Sequence, residues 1–270
     1  MYNKELTIFS VFHKDYPQPN CDFIKPIQVG KGLTELDLGF LKDNIGPNIS
    51  SKNPYFCELT ALYWIWKNLD QIESEFIGLA HYRRYFVLPE RVRKNFGFLH
   101  IYKKNKRDVY QKALSENALT EVSSEEIKLI FIKKLRENTV IVPRPAHLGS
   151  KKKYDFNIKD NYIYNHILED WLLLEAALVK ICPEYSEFAK EYFETAEKMH
   201  CYNMFIGSKT FLANYCDWLF PILEELERTV KLSEYPYQKR VFGFIAERLL
   251  NLYLHKNNLN TTVYPVVFFN

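Results

Sequence analysis

The chain has 270 residues, enough for one large domain or for one domain with a helical subdomain. Aromatic residues reach 16% and hydrophobic residues 47%, the formal net charge is only +3, and that balance excludes a disordered chain. No period of about 20–50 residues recurs and neither G-x-G-x-x-G nor G-x-x-x-x-G-K occurs, which excludes repeat arrays and glycine-fingerprint nucleotide folds.

Residues 6–12 are β-branched and aromatic and predict a buried first strand, ended by Pro17 and Pro19. Residues 24–29 predict a second strand, and 37–53 read as a loop. Asn53 as cap and Pro54 in the first turn predict a deeply buried helix over 53–69. Residues 76–80 predict the next strand. Ser123 and Glu126 form a capping box for a helix, and Thr139 to Val142 predict a strand. Helices are expected over about 162–181 and 184–199, then a short strand over 202–206. A helix over 210–229 follows, which Pro221 is expected to kink or restart. A helix over about 240–256 and a strand over 262–269 end the chain. Strands alternating with helices predict an α/β fold with a mixed, mostly parallel sheet flanked by helices and a helix-rich C-terminal half. Ligands in such sheets bind beyond the carboxyl ends of the strands, which directs attention to loops 13–20, 43–53, 81–86, 143–149 and 207–210.

Charge is uneven along the chain. Residues 89–112 carry eight Lys/Arg against Glu90 and Asp108, and Lys151–Lys153 form a smaller cluster. Such a segment suits anionic headgroups or a phosphorylated substrate, or is simply a solvated loop. No nucleic-acid signature accompanies it, so no nucleic-acid partner is expected. The five Cys are scattered with no C-x-x-C, so neither a zinc knuckle nor a redox pair is supported. No signal peptide and no apolar run of about 18 residues is seen, so a cytoplasmic location is expected, with 89–112 as a peripheral contact to the inner membrane.

Five constellations can carry chemistry. His81-Tyr82-Arg83-Arg84 stands at a strand's carboxyl end, where Arg can grip a diphosphate. If the segment stays extended, Arg83 and Arg84 face opposite ways and only one reaches a ligand. Lys52 and Asn53 stand at a helix N-terminus, an anion site or an ordinary cap. Glu58, one turn into that helix, needs a partner, with Arg83 or Arg84 as candidates. His166 and Asp170 are spaced i,i+4, a base with its orienting partner or a surface pair. Asn203 offers an amide to hydroxyls. Arg240 and Glu247 lie two turns apart on one helix face, Glu247 being a catalytic carboxylate or an arginine's structural partner. No Asp-x-Asp is present, so no metal clamp is expected, and a sugar-nucleotide enzyme here would need cationic side chains instead.

These strings together, namely Asn48-Ile49-Ser50, Phe56-Cys57-Glu58 through Lys67-Asn68, Gly78 through Phe86, Tyr202 through Ile206, Trp218 through Leu223 and Arg240 through Leu250, resemble one bacterial family. It is a family long labelled a domain of unknown function, found in capsule, exopolysaccharide, lipooligosaccharide and O-antigen clusters and regarded as GT-A-like glycosyltransferases. Pro47 stands where the family often has Asp, and 87–112 match no family pattern. The resemblance implies a single domain over 1–270, with 1–150 binding a nucleotide-sugar and 151–270 forming a helical acceptor part. It implies galactose-type transfer from a UDP-linked donor to a glycan or lipid-linked acceptor, without a certain cofactor. His13 and Lys14 would meet base and ribose. His81, Arg83, Arg84, Lys52 and Asn53 would bind donor diphosphate. Asn203, Arg240 and Tyr82 would contact acceptor or sugar, and Asp170 or Glu247, with His166, would act as base. The competing reading is a non-catalytic carbohydrate-binding or scaffold subunit.

Overall fold

The computed structural model describes residues 4–90, 103–104, 109–149 and 155–270. In chain order the N-terminal part comprises β1 (Leu6–Phe12), β2 (Ile24–Gln28), β3 (Leu41–Lys42), α1 (Asn53–Phe56), α2 (Leu59–Lys67), β4 (Phe76–His81), β5 (Arg84–Phe86), β6 (Lys103–Lys104) and β7 (Val109–Lys112). Next come α3 (Glu116–Val122), α4 (Glu125–Leu135), β8 (Val140–Pro143), β9 (Ala146–His147), α5 (Ile158–Asn165), α6 (Leu168–Ile181) and α7 (Pro183–Thr195). The chain finishes with β10 (Lys198–Met199), β11 (Phe205–Ser208), α8 (Lys209–Thr229), α9 (Val241–Lys256), β12 (Thr261–Tyr264) and β13 (Val266–Phe269).

The main run of the sheet is β3-β2-β1-β4-β11-β8-β12, and every strand in it points the same way except β11. The chain leaves β1 outward to β2 and β3, then returns on the other side as β4. The carboxyl ends of β1 and β4 therefore flank the topological switch point. A two-residue turn, Tyr82-Arg83, folds β4 back into β5, and β13 and β7 extend the sheet from there.

Alternation along each strand builds two cores. Phe9, Val11, Ile77, Leu79, Val140, Val142 and Phe205 face the C-terminal helices, α1 and α2. Leu6, Ile8, Phe76, Ala80, Ile141 and Ile206 face α3 and α4. Gly78 permits close strand contact, since a Cβ there would meet Ile206 at 2.9 Å.

Local corrections follow. The helix expected over 53–69 is broken at Cys57, whose φ of 54° and ψ of −130° leave the helical region. The helix expected over 162–181 is also two helices, separated by extended His166 and Ile167. Ser124, not Ser123, caps α4 by accepting from the Ile127 N–H at 3.4 Å. Pro221 sits inside α8 without ending it. The strand expected over 202–206 starts only at Phe205, because Tyr202 and Asn203 turn with positive φ. The terminal strand is divided by Pro265 into β12 and β13.

Candidate active site

A cleft of about 480 Å³ opens beyond the carboxyl end of β4. Its floor is His81, Arg84 and Tyr202, one wall is Arg240, Phe244, Glu247 and Arg248, and Glu58 lies behind. Loop 146–149 and α5 close the other side. Of the five loops expected to matter, 81–86 and 143–149 reach this cleft. Loop 207–210 does not, because β11 runs antiparallel and presents its amino end, Cys201 and Tyr202, instead. Loop 43–53 is occupied by a structural network in which buried Asp43 accepts from the Gly30 and Lys31 N–H groups.

The β4–β5 turn separates the two arginines. Arg84 enters the cleft, with its guanidinium carbon 4.9 Å from the Tyr202 ring centroid. Its charge acts on Glu58 and Glu247 from there. Arg83 instead lies over Tyr82, Phe268 and Tyr16, at 5.0, 4.9 and 5.9 Å. Arg83 Nε and Tyr16 Oη are both buried without a hydrogen-bond partner, a costly arrangement beside the switch point. His13 packs edge-on to Tyr82 at 5.0 Å, and Lys14 lies 5.7 Å from the same ring. Burial first, then Lys14, Arg83 and Arg240, hold the His13 pKa down. Tyr82, expected to contact acceptor or sugar, is instead buried beneath these groups, outside the cleft lining, and supports them.

His81 Nε2 donates to the Tyr202 carbonyl at 2.6 Å. Burial, then the Arg84 charge, pushes its pKa down to about 4, so it is a neutral donor at pH 7. Glu247 accepts from the Tyr202 N–H at 2.8 Å and from Arg248 at 3.3 Å, which fixes its carboxylate at the cleft wall. Arg248 also donates to Asn161 Oδ1 at 3.0 Å, and its Nε is buried without a partner.

Glu58 is the carboxylate that local reading undervalued. The break at Cys57 aims it into the cleft. Asn203 Nδ2 donates to Glu58 Oε1 at 2.6 Å and to the Gly243 carbonyl at 3.0 Å. Burial raises the Glu58 pKa despite that bond and the nearby Arg240 and Arg84. Arg240 Nε donates to Cys57 Sγ at 3.2 Å. Arg84 is thus near Glu58, as expected, but Asn203 makes the direct bond.

Four expected site residues lie elsewhere. Lys52 is bound to Glu227 at 2.6 Å. Asn53 is the first residue of α1, not its cap, and its amide donates to the Cys57 carbonyl at 2.8 Å. Asn203 is buried and holds Glu58, so it is a positioning residue and does not face hydroxyls. Asp170 is buried in the first turn of α6, outside the cleft, and shares no helix with His166. His166 does line the cleft, stacked on Phe244 at 4.1 Å and bonded through Nδ1 to Gln238 at 3.2 Å. The basic stretch 89–112 and Lys151–Lys153 lie largely outside the described residues. Among those described, no helix is long and apolar enough to cross a membrane.

The fold and the cleft at its switch point define a GT-A-like glycosyltransferase architecture. Over 98% of its length the chain is similar to a solved structure of the WbbM bifunctional glycosyltransferase in its apo form, with a TM-score of 0.81 and 30% identity. The chain spans 45% of that longer protein. A family model, "Domain of unknown function (DUF4422)", matches residues 7–258, and the chain belongs to that family. A search of curated proteins returns no match.

Proposed function

We propose that the chain is a glycosyltransferase acting in surface polysaccharide synthesis, moving a galactose-type sugar from a UDP-linked donor to a growing glycan. The observation carrying this reading is the arrangement of Arg84, Arg240 and Arg248 with Glu58 and Glu247 in one cleft beyond the β1–β4 switch point. The similarity to WbbM, itself a glycosyltransferase by its description, supports it.

In this reading the nucleoside lies by His13, Lys14, Tyr16 and Arg83, where two buried donors lack partners. The diphosphate meets Arg84 and Arg240, whose fixed charges take the place a metal holds in many sugar-nucleotide enzymes. Neutral His81 can keep its bond to Tyr202 as negative charge develops. The reaction takes an inverting form. Glu247 removes the acceptor hydroxyl proton as that oxygen bonds to the anomeric carbon. The bond from that carbon to the diphosphate oxygen breaks, and its electron pair leaves on the nucleotide. Asp170, outside the cleft, has no part in this reading. The cationic stretch 89–112 would hold the protein against anionic lipid, a part of the proposal resting on charge alone.

A donor panel of UDP-, GDP- and CMP-sugars, with nucleotide release measured with and without EDTA, tests the reading. Release from one UDP-sugar, insensitive to EDTA and reduced about 10²–10³-fold by Arg84→Ala, is expected. No binding of any donor would instead indicate a carbohydrate-binding scaffold.

A further inference from the structure

The cleft has an aromatic side that the donor chemistry leaves unused. His166 stacks on Phe244, at 4.1 Å and 27°, and lies near-parallel to Tyr237, at 5.9 Å and 19°, while Tyr237 and Phe244 meet each other at 5.0 Å, so the three rings form one cluster. Gln238 fixes the ring plane. Its Nε2 donates to the Asn165 carbonyl at 3.0 Å, which leaves Oε1 to accept from His166 Nδ1. Two residues before His166, Tyr164 packs against Phe156 at 5.1 Å. All five rings line the cleft. Tyr164 is 74% exposed and Tyr237 53% exposed, in contrast to the many described aromatics buried in the two cores. Exposed rings in a cleft that is also lined by amide and imidazole side chains suit a ligand that has both a C–H face and hydroxyls.

We propose that Tyr237, His166, Phe244, Tyr164 and Phe156 form a carbohydrate subsite that stacks a sugar ring of the acceptor glycan. The proposal rests on the glycosyltransferase reading for the word acceptor, but not for the binding of saccharide. Arg240 places the subsite relative to the donor. Its charge acts on His13 at the end of β1, while its guanidinium carbon lies 5.5 Å from the Phe244 ring centroid. A diphosphate on Arg240 therefore has the nucleoside end of the switch point on one side and the aromatic wall on the other. The wall is carried by Phe156 just ahead of α5, by α5 and its C-terminal loop, and by the Tyr237–Phe244 segment, all in the C-terminal half. A sugar stacked there directs its hydroxyls toward the side occupied by Glu247 and Arg248.

Saturation-transfer difference NMR tests this without turnover. The probes are lactose and the methyl glycosides of galactose, glucose, mannose and N-acetylglucosamine, each with and without UDP. The proteins are wild type, Tyr237→Ala, Tyr164→Ala and the double variant. Both tyrosines are exposed, and circular dichroism with thermal melting confirms that the variants fold. The expected result is transfer to ring C–H protons of at least one saccharide in wild type. Each single variant should weaken that binding roughly three- to tenfold, the double variant should abolish the signal, and UDP binding should stay unchanged. Saccharide binding equal in all four proteins, or no saccharide binding at all, overturns the subsite. Loss of UDP binding in the tyrosine variants also overturns it, by making the wall a nucleobase platform. Saccharide binding lost in the variants, together with no UDP binding by wild type, upholds the subsite while contradicting the donor assignment.

Discussion

Asp170 shows how a residue type can mislead when its neighbours in space are unknown. Burial, then Glu169, raises its pKa to about 6 from 3.8, the shift expected of a catalytic base and equally of a carboxylate trapped in a core. The folded protein therefore binds a proton more tightly than the unfolded chain does. The stability Asp170 contributes is present at low pH and is lost as pH rises from about 3.8 through about 6. Asp170→Asn should then stabilise the protein more at pH 8 than at pH 5, by on the order of 1–3 kcal/mol, with transfer retained. Urea unfolding at both pH values checks the first part, and a loss of transfer would restore Asp170 as a base. His81 has the opposite sign. Its folded pKa of about 4 lies below the ordinary 6.5, so acidification through that window destabilises the fold. His81→Gln should flatten the stability profile between pH 6.5 and 4. Glu247→Gln tests the base directly, with an expected loss in kcat of about 10²–10⁴-fold and unchanged UDP affinity.

At the scale of elements, the informative feature is a helix that stops early. Helical spacing of Tyr55, Leu59, Leu62 and Trp66 made one helix over 53–69 the natural expectation, and Leu59 and Leu62 are indeed core while Tyr55 and Trp66 pack half-buried against it. Periodicity could not reveal the break at Cys57, because the break is stabilised by groups distant in sequence. Arg240 binds the Cys57 sulfur, and Asn203 holds Glu58 and the Gly243 carbonyl together. A Cβ on Gly243 would stand 3.3 Å from Cys57 Sγ and 3.4 Å from its Cβ. Gly243→Ala raises helix propensity by about 1 kcal/mol but crowds a residue already held at strained φ. The expected outcome is a melting temperature within a few degrees of wild type and transfer reduced about tenfold or more. Unchanged transfer would show that the break can shift without consequence for Glu58. The divided helix around His166 was hidden for the same reason, since the extended backbone there serves contacts to Phe244 and Gln238.

Across the whole molecule, the short apolar runs 6–12, 76–80 and 139–142, alternating with helical segments, were sufficient to announce a sheet flanked by helices, and the strand-end rule pointed to the β4–β5 turn. The reversed direction of β11 was not legible, because strand polarity is set by long-range pairing with β4 and β8. That reversal brings Tyr202 to His81, Arg84 and Glu247. Arg248 escaped notice as a site residue for a similar reason. It lies in an apolar helix, and only the packing of α5 against that helix gives it Asn161 as a partner and a place in the cleft. Calorimetric titration of UDP into wild type and Arg84→Ala, both in EDTA, tests the donor assignment most directly. Saturable binding by wild type, weakened about tenfold or more in the variant, is the predicted result. Equal binding by the two proteins, or none by wild type, would contradict it.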